Sequence, residues 1–271
     1  MKYLGSKNRL SKYIAPILQQ YINENSITTY YEPFVGGANM IDKIDCSLRI
    51  GNDIHPQLIA MFLALQNGWN PPEHITEEEY NNVRQNKKKY PEYYVGYVGF
   101  NATFSAKYFG GYARGFKSDG ITPRDLSNEA YRNLMKQMEN IKDVKFICSD
   151  YTENEYCNLK NTLIYCDPPY QHTTKFETDS FDYDKFWEWC RGMSKYNKVF
   201  ISEYQAPDDF ECVWSKESLA NFDCNRGNDR KKKLRTEKLF TYNLKKNNTM
   251  KDSVKETLKR IGISLTKETD K

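Results

Sequence analysis

Apolar and polar positions alternate with a period that changes in an orderly way along the chain. Residues 11–24 (SKYIAPILQQYINE) place Ile14, Ile17, Leu18, Tyr21 and Ile22 at helical spacing, which predicts a helix. "TTYYEPFVGG" then predicts a strand that runs into a glycine turn. A short helix is expected over 38–45 and a second strand, LRIGND, over 48–53. A strongly apolar helix follows over 55–68, stopped by Asn67-Gly68. After Pro71-Pro72 the texture changes: a charged helix over 73–90, an aromatic and glycine-rich stretch over 90–120, and a helix over 127–140. Buried-looking strands return at 144–150, 162–167 and 198–204, with a helix around 182–194 between the last two. "FECVWS" and "KLFTYNL" read as closing strands, and 249–262 as a terminal helix.

Strands alternating with helices predict an α/β, doubly wound fold with a mainly parallel sheet. The 129 residues between Gly37 and Asp167 exceed what that sheet needs. A βα unit takes roughly 30 residues, so two or three units use only about 60–90. The surplus is expected to be an insert over 69–139, carried on a discontinuous domain made of 1–68 and 140–271.

Composition adds limits. With 39% hydrophobic and 28% charged residues in 271, a folded core is expected and disorder is not. Seven cysteines without CxxC spacing, mostly in apolar contexts, read as reduced core thiols of a cytoplasmic protein. The three histidines form no ligand set, so no metal is expected, and no run approaches transmembrane length. Net charge is only +4, but residues 226–260 hold thirteen Lys/Arg against four Asp/Glu, so the positive charge is localised. Such a face fits a polyanion, although a solvated surface explains a basic loop as well.

In open α/β sheets ligands bind beyond the carboxyl ends of the strands. Four expected strands end in chemistry: EPFVGG, Asp53, Asp150 and Asp167-Pro168-Pro169-Tyr170. Gly36 and Gly37 let a backbone approach a ligand, and Asp53 follows Gly36 by 17 residues, a spacing that suits ribose hydroxyls of a nucleoside-like cofactor. A full GxGxxG and a Walker loop are both lacking, which disfavours NAD and ATP. In "TLIYCDPPYQ" the two prolines freeze a loop with outward carbonyls. An amino group there can donate to the Asp167 carboxylate and the Pro168 carbonyl, with Tyr170 stacked on its ring. A turn after an edge strand is the plainer alternative.

Taken together, "KYLGSKNRL", "YEPFVGG", "GNDIHPQL", "CSDY", "CDPPY", "VFISEYQAP" and "RTEKLFTY" resemble, nearly end to end, the Dam-like family of DNA adenine-N6 methyltransferases, phage and prophage members included. The resemblance implies a Rossmann-like, S-adenosylmethionine-dependent methyltransferase sheet with an inserted DNA-recognition domain, mostly helical plus a β-hairpin. It implies that Tyr3, Lys7, Phe34, Gly36, Asp53, Asp150, Tyr151 and Asp167 bind the cofactor. It implies that Asp167, Pro168, Pro169 and Tyr170 act on a base flipped from the duplex. Ala38 replaces a common third glycine, and Tyr3 a common tryptophan.

The implied reaction is direct methyl transfer to adenine N6, leaving S-adenosylhomocysteine, with no metal. "FSAKYFGGYARGFKSDG" is expected to be a β-hairpin with a basic tip, where Lys107, Arg114 and Lys117 contact double-stranded DNA. Asn101 reads as a base reader or a turn residue, and Arg226, Arg230 and Lys232, in the second basic loop with Lys231, Lys233 and Arg235, as phosphate contacts. One chain supplies every motif, which predicts a monomer; a cognate restriction endonuclease is left open. Cytosine-N4, RNA and protein glutamine acceptors remain alternatives, as does a non-catalytic binding partner.

Overall fold

The computed structural model describes residues 1–153, 155–170, 181–219 and 234–243. It divides into two compact units, one of Met1–Pro168 with Tyr196–Lys198, the other of Pro169–Lys195 with Val199–Lys271. The expected helix at 249–262 and the basic residues Arg226, Arg230 and Lys232 lie outside the described residues.

In the first unit, helix α1 (Ser11–Glu24) buries Ile14, Leu18 and Ile22 of the stripe its spacing predicts, and Ala15 beside them, while Ile17 and Tyr21 are half-buried. Four strands follow: β1 (Thr29–Glu32), β2 (Leu48–Asp53), β3 (Lys145–Cys148) and β4 (Thr162–Cys166). They run parallel in the order β3-β2-β1-β4. Every residue of β4 is buried, as expected of a parallel strand covered on both faces. Because the strands are parallel, their carboxyl ends share one edge, and the order reverses beside β1. The expected helix at 38–45 shrinks to a 3-10 turn, Ile41–Lys43.

Helix α2 (Pro56–Gln66) carries Phe62, which stacks on Phe146 of β3 with ring centroids 4.7 Å apart. Its last residue, Gln66, donates from Nε2 to the carbonyls of Ile141 and Val144, both at 2.8 Å. Within 69–139 lie α3 (Glu77–Gln85), α4 (Glu92–Asn101) and α5 (Leu126–Ile141). Helix α3 starts on a Thr76 cap and three glutamates, a favourable charge for its positive end. It is shorter than the 73–90 expected; Lys87–Lys89 form a separate 3-10 turn.

Helix α4 departs from the sequence reading, in which 90–120 has no helix. Glycine and β-branched valine are poor helix formers, but packing overrides them. A Cβ on Gly96 would stand 2.0 Å from the Gln57 carbonyl oxygen, so glycine lets α4 lie directly on the start of α2. Val95 through Asn101 are all buried. The hairpin expected over 104–120 is also corrected: the segment makes only two isolated antiparallel bridges, Thr103 to Tyr112 and Phe116 to Pro123. Side chains take the ladder's backbone groups there. The Thr103 hydroxyl accepts from the Gly110 amide at 2.9 Å, and the Tyr80 hydroxyl from the Gly111 amide at 3.0 Å.

The second unit holds α6 (Tyr183–Met193), capped by Asp182, and three antiparallel strands. These are β5 (Lys198–Glu203), β6 (Phe210–Leu219) and β7 (Leu234–Tyr242), in the order β5-β7-β6 with a bulge at Cys212/Trp214. Arg191 clamps Asp209 from Nε at 2.6 Å and from a terminal nitrogen at 3.0 Å. Among the described cysteines all are free; Cys166 and Cys190 are buried, but Cys148 and Cys212 are exposed, which corrects their reading as core thiols. Among the described residues no helix is long and apolar enough to cross a membrane.

Replacing Gly96 by alanine is expected to destabilise the protein by about 1–3 kcal/mol, the cost of overpacking a tight contact. Thermal unfolding measures it, and an unchanged midpoint would mean that α4 and α2 separate freely.

Candidate functional site

The carboxyl ends of β1, β2 and β3 are tied by one side chain. Asn52, 1% exposed, donates from Nδ2 to the carbonyls of Pro33 at 3.0 Å and Ser149 at 3.1 Å, and its Oδ1 accepts from the Ser149 hydroxyl at 3.0 Å. Its own carbonyl accepts from the Val35 amide at 2.7 Å. The glycine loop leaves β1 from this knot. Gly36 has φ +47°, a left-handed conformation that side chains resist, and its amide donates to Asp53 Oδ2 at 3.0 Å. The other Asp53 oxygen accepts from the His55 amide, also at 3.0 Å. Burial holds the Asp53 carboxyl above its ordinary pKa, against the pull of these amide hydrogen bonds.

A Cβ on Gly36 would meet the Tyr3 ring at 2.8 Å, so glycine is needed because Tyr3 lies against the loop. Tyr3 also stacks on Phe100 of α4 at 5.6 Å, and the Leu4 amide donates to the Ala106 carbonyl at 3.1 Å. The same N-terminal turn delivers Lys7, whose ammonium stands 2.9 Å from Asp167 Oδ1, just past the end of β4. Lys7 is buried and Asp167 half-buried. The sequence reading has Lys7 on the cofactor; its first observed partner is the carboxylate.

The Phe34 and Tyr151 rings lie 5.0 Å apart, tilted by 46° to each other, beyond β1 and β3. Asp150 turns its Oδ1 onto the Thr152 amide at 2.7 Å and hydroxyl at 2.6 Å, closing a local turn. Two residues that sequence reasoning missed shape this edge. Gln137 of α5, 5% exposed, donates from Nε2 to the carbonyls of Gly37 at 3.1 Å and Ala38 at 2.8 Å. That contact braces Ala38, whose φ of +54° is strained for a residue with a side chain. Glu32, 3% exposed, accepts from the Tyr30 hydroxyl at 2.7 Å. Burial pushes its carboxyl well up, aided by the nearby charges of Asp42 and Asp167.

In the second unit, the Tyr183 hydroxyl donates to the Pro169 carbonyl at 2.8 Å. Tyr170 donates its phenol proton to Glu237, and its ring meets Tyr204 edge-on at 4.8 Å. Of the expected DNA contacts, Lys107, Arg114 and Lys117 are exposed. Arg114 makes a two-nitrogen clamp on Glu77, with its Nε 3.0 Å from Oε2. Asn101 does not face outward as a base reader: it is 4% exposed at the end of α4 and donates to the Tyr97 carbonyl at 3.2 Å.

A glycine loop, an acid at the end of the next strand and a DPPY turn after a buried strand define a class of methyl-transferring α/β protein. The family profile described as D12 class N6 adenine-specific DNA methyltransferase matches residues 3–227, and the chain belongs to that family. The Type II methyltransferase M.FokI of Planomicrobium okeanokoites is 25% identical over 195 residues, which cover 64% of this chain and 29% of that relative. The chain therefore matches under a third of that relative's length. Looser likenesses include TrmN from Thermus thermophilus (8% identity, TM-score 0.35, covering 85% of this chain and 48% of that one). Another is Thermoplasma acidophilum 1320 (9% identity, TM-score 0.38, covering 85% and 89%). At such scores they carry no argument.

Glu32 gives a pH prediction. Its folded pKa is raised, so between the ordinary value, about 4.3, and the folded value the native state holds a proton that the unfolded chain has lost. Its stabilising contribution is complete below that ordinary value and is lost as pH rises through the folded one. The isosteric Glu32→Gln variant has no such proton to lose. Denaturant midpoints of the two proteins are expected to diverge in favour of the variant as pH is raised above about 4; parallel profiles would contradict it.

Proposed function

We propose that this chain transfers a methyl group from S-adenosylmethionine to the N6 amino group of adenine in double-stranded DNA, with the base flipped out of the stack. The observation that carries the reading is the buried end of β4, where Lys7 stands 2.9 Å from Asp167 at the head of an intact DPPY turn. Family membership supports the same chemistry.

The residues fit the cofactor. Asp53 spends one lone pair of each oxygen on backbone amides, leaving others for ribose hydroxyls. Phe34 and Tyr151 offer aromatic faces for an adenine, with Asp150 beside them, and Tyr3 and Gly36 line the loop. When bound, the sulfonium supplies an electrophilic methyl group. The chain's part is to hold the amine. Asp167 and the Pro168 carbonyl accept its two hydrogens, which localises the nitrogen lone pair toward the methyl. Tyr170, next in the turn after Pro169, stacks on the ring. Asp167 orients and polarises, and the methylated amine sheds one of its two protons to water, so catalysis is positioning and electrostatics.

Lys107, Arg114 and Lys117 contact the DNA from the 69–139 stretch, which we propose is the target-recognition part, and Arg226, Arg230 and Lys232 contact phosphates. Arg114 exchanges Glu77 for DNA. The protein acts in the cytoplasm as a monomer. Because the relative M.FokI is a Type II methyltransferase by name, a cognate restriction endonuclease is the proposed functional partner.

Tritiated methyl transfer to unmethylated duplex DNA, followed by nucleoside mass spectrometry, tests the reading. N6-methyladenine is expected from the native protein, and none from Asp167→Ala, which still binds DNA. Methylcytosine, or label on RNA or protein alone, would overturn it.

A further inference from the structure

Tyr170 is held more firmly than a stacking platform needs by packing alone. Its hydroxyl donates to Glu237 of β7, a residue only 4% exposed. Its ring is met at 90° by the edge of Tyr204, centroids 4.8 Å apart. One residue earlier, the Pro169 carbonyl is taken by the Tyr183 hydroxyl at 2.8 Å. The ring is thus fixed at its far end and at its flank, and the backbone that bears it is fixed too. Glu237 lies near the middle of the β6/β7 pairing, opposite Lys216, so its backbone position is rigid.

A carboxylate is an expensive group to bury, and a leucine or glutamine would fill the same space. What a carboxylate adds is a strong acceptor for a phenol proton. Charge-assisted O–H···O⁻ bonds are about twice as strong as neutral ones. The donation also shifts electron density from the phenol oxygen into the ring, which makes the ring face more negative. An aromatic face attracts positive charge. As a methyl group joins an exocyclic amine, the purine acquires positive charge, so a polarised Tyr170 binds the transition state more tightly than the substrate.

We infer that Glu237 is a positioning residue for the target base, acting through the Tyr170 hydroxyl by aligning the ring and enriching its face. The inference rests on the methyltransferase reading above, with an adenine as the base. Glu237 touches neither substrate nor cofactor in this account. Its effect should therefore fall on the transfer step and leave cofactor affinity alone.

The test uses the full chain, duplex DNA carrying sites that the native protein has been found to methylate, and single-turnover methyl transfer. Glu237→Gln, Tyr170→Phe and the double variant are compared, each checked by circular dichroism. Glu237→Gln is expected to slow transfer by about ten- to hundredfold, the weight of a hydrogen bond to a charged group. The KM for S-adenosylmethionine should be unchanged. Tyr170→Phe, which deletes the donor, should show at least as large a loss, and the double variant should be no slower than Tyr170→Phe alone, because Glu237 acts only through that hydroxyl. Native rates in Glu237→Gln, multiplied losses in the double variant, or a raised cofactor KM would overturn the inference and leave the methyltransferase reading standing. Should Glu237→Gln fail to fold, Tyr170→Phe decides alone, and a native transfer rate there overturns it. A native protein that methylates no DNA would overturn the methyltransferase reading, and this inference with it.

Discussion

The Lys7–Asp167 ion pair is the contact on which the rest of the first unit's edge depends. Both side chains are largely withdrawn from water, 9% and 20% exposed, so each charge needs the other. A buried pair of this kind adds little net stability, because the Coulomb gain is offset by desolvation. Its value is geometric. It fixes the N-terminal turn across the strand ends, and that turn brings Tyr3 against Gly36 and onto Phe100. The loop's shape, the packing of α4 and the orientation of the DPPY acid are thereby linked through the five residues from Tyr3 to Lys7.

Around that pair, buried polar side chains take up backbone carbonyls where strands end. Asn52 ties three strand ends and Gln137 braces the glycine loop, while Glu32 and Tyr30 satisfy each other through their side chains. Each satisfies a group that would otherwise be costly to bury. The edge is thus stiff before any ligand arrives, which is what positioning chemistry requires. A similar economy holds in the second unit, where two phenols anchor Pro169 and Tyr170.

Much of this was legible in the sequence, and for a physical reason. Parallel strands are buried on both faces, so they read as short apolar runs, and their functional ends are marked by acids and glycines that break the run. Asp53, Gly36 and Asp167 announce themselves in this way. Helix α4 does not, because Gly96 and its valines argue against a helix locally and only the close approach of α2 explains them. The hairpin reading failed because hydroxyls of Thr103 and Tyr80 capture the backbone that a ladder would use. Gln137 is 100 residues from the Gly37 carbonyl it holds, and Glu237 is 67 residues from Tyr170, so no local pattern reveals either. Arg114 was legible as a basic residue, but its clamp on Glu77, 37 residues away, was not.

The most direct test of the account is the rate of single-turnover methyl transfer in Lys7→Met, with Lys7→Arg beside it. If the ion pair orients Asp167, the methionine variant should fold, keep its DNA affinity and lose transfer by about a hundredfold, the weight of one misplaced catalytic group. Arginine should restore part of the rate. A methionine variant that transfers at the native rate would show that Asp167 is oriented without Lys7, and the central contact would lose its role.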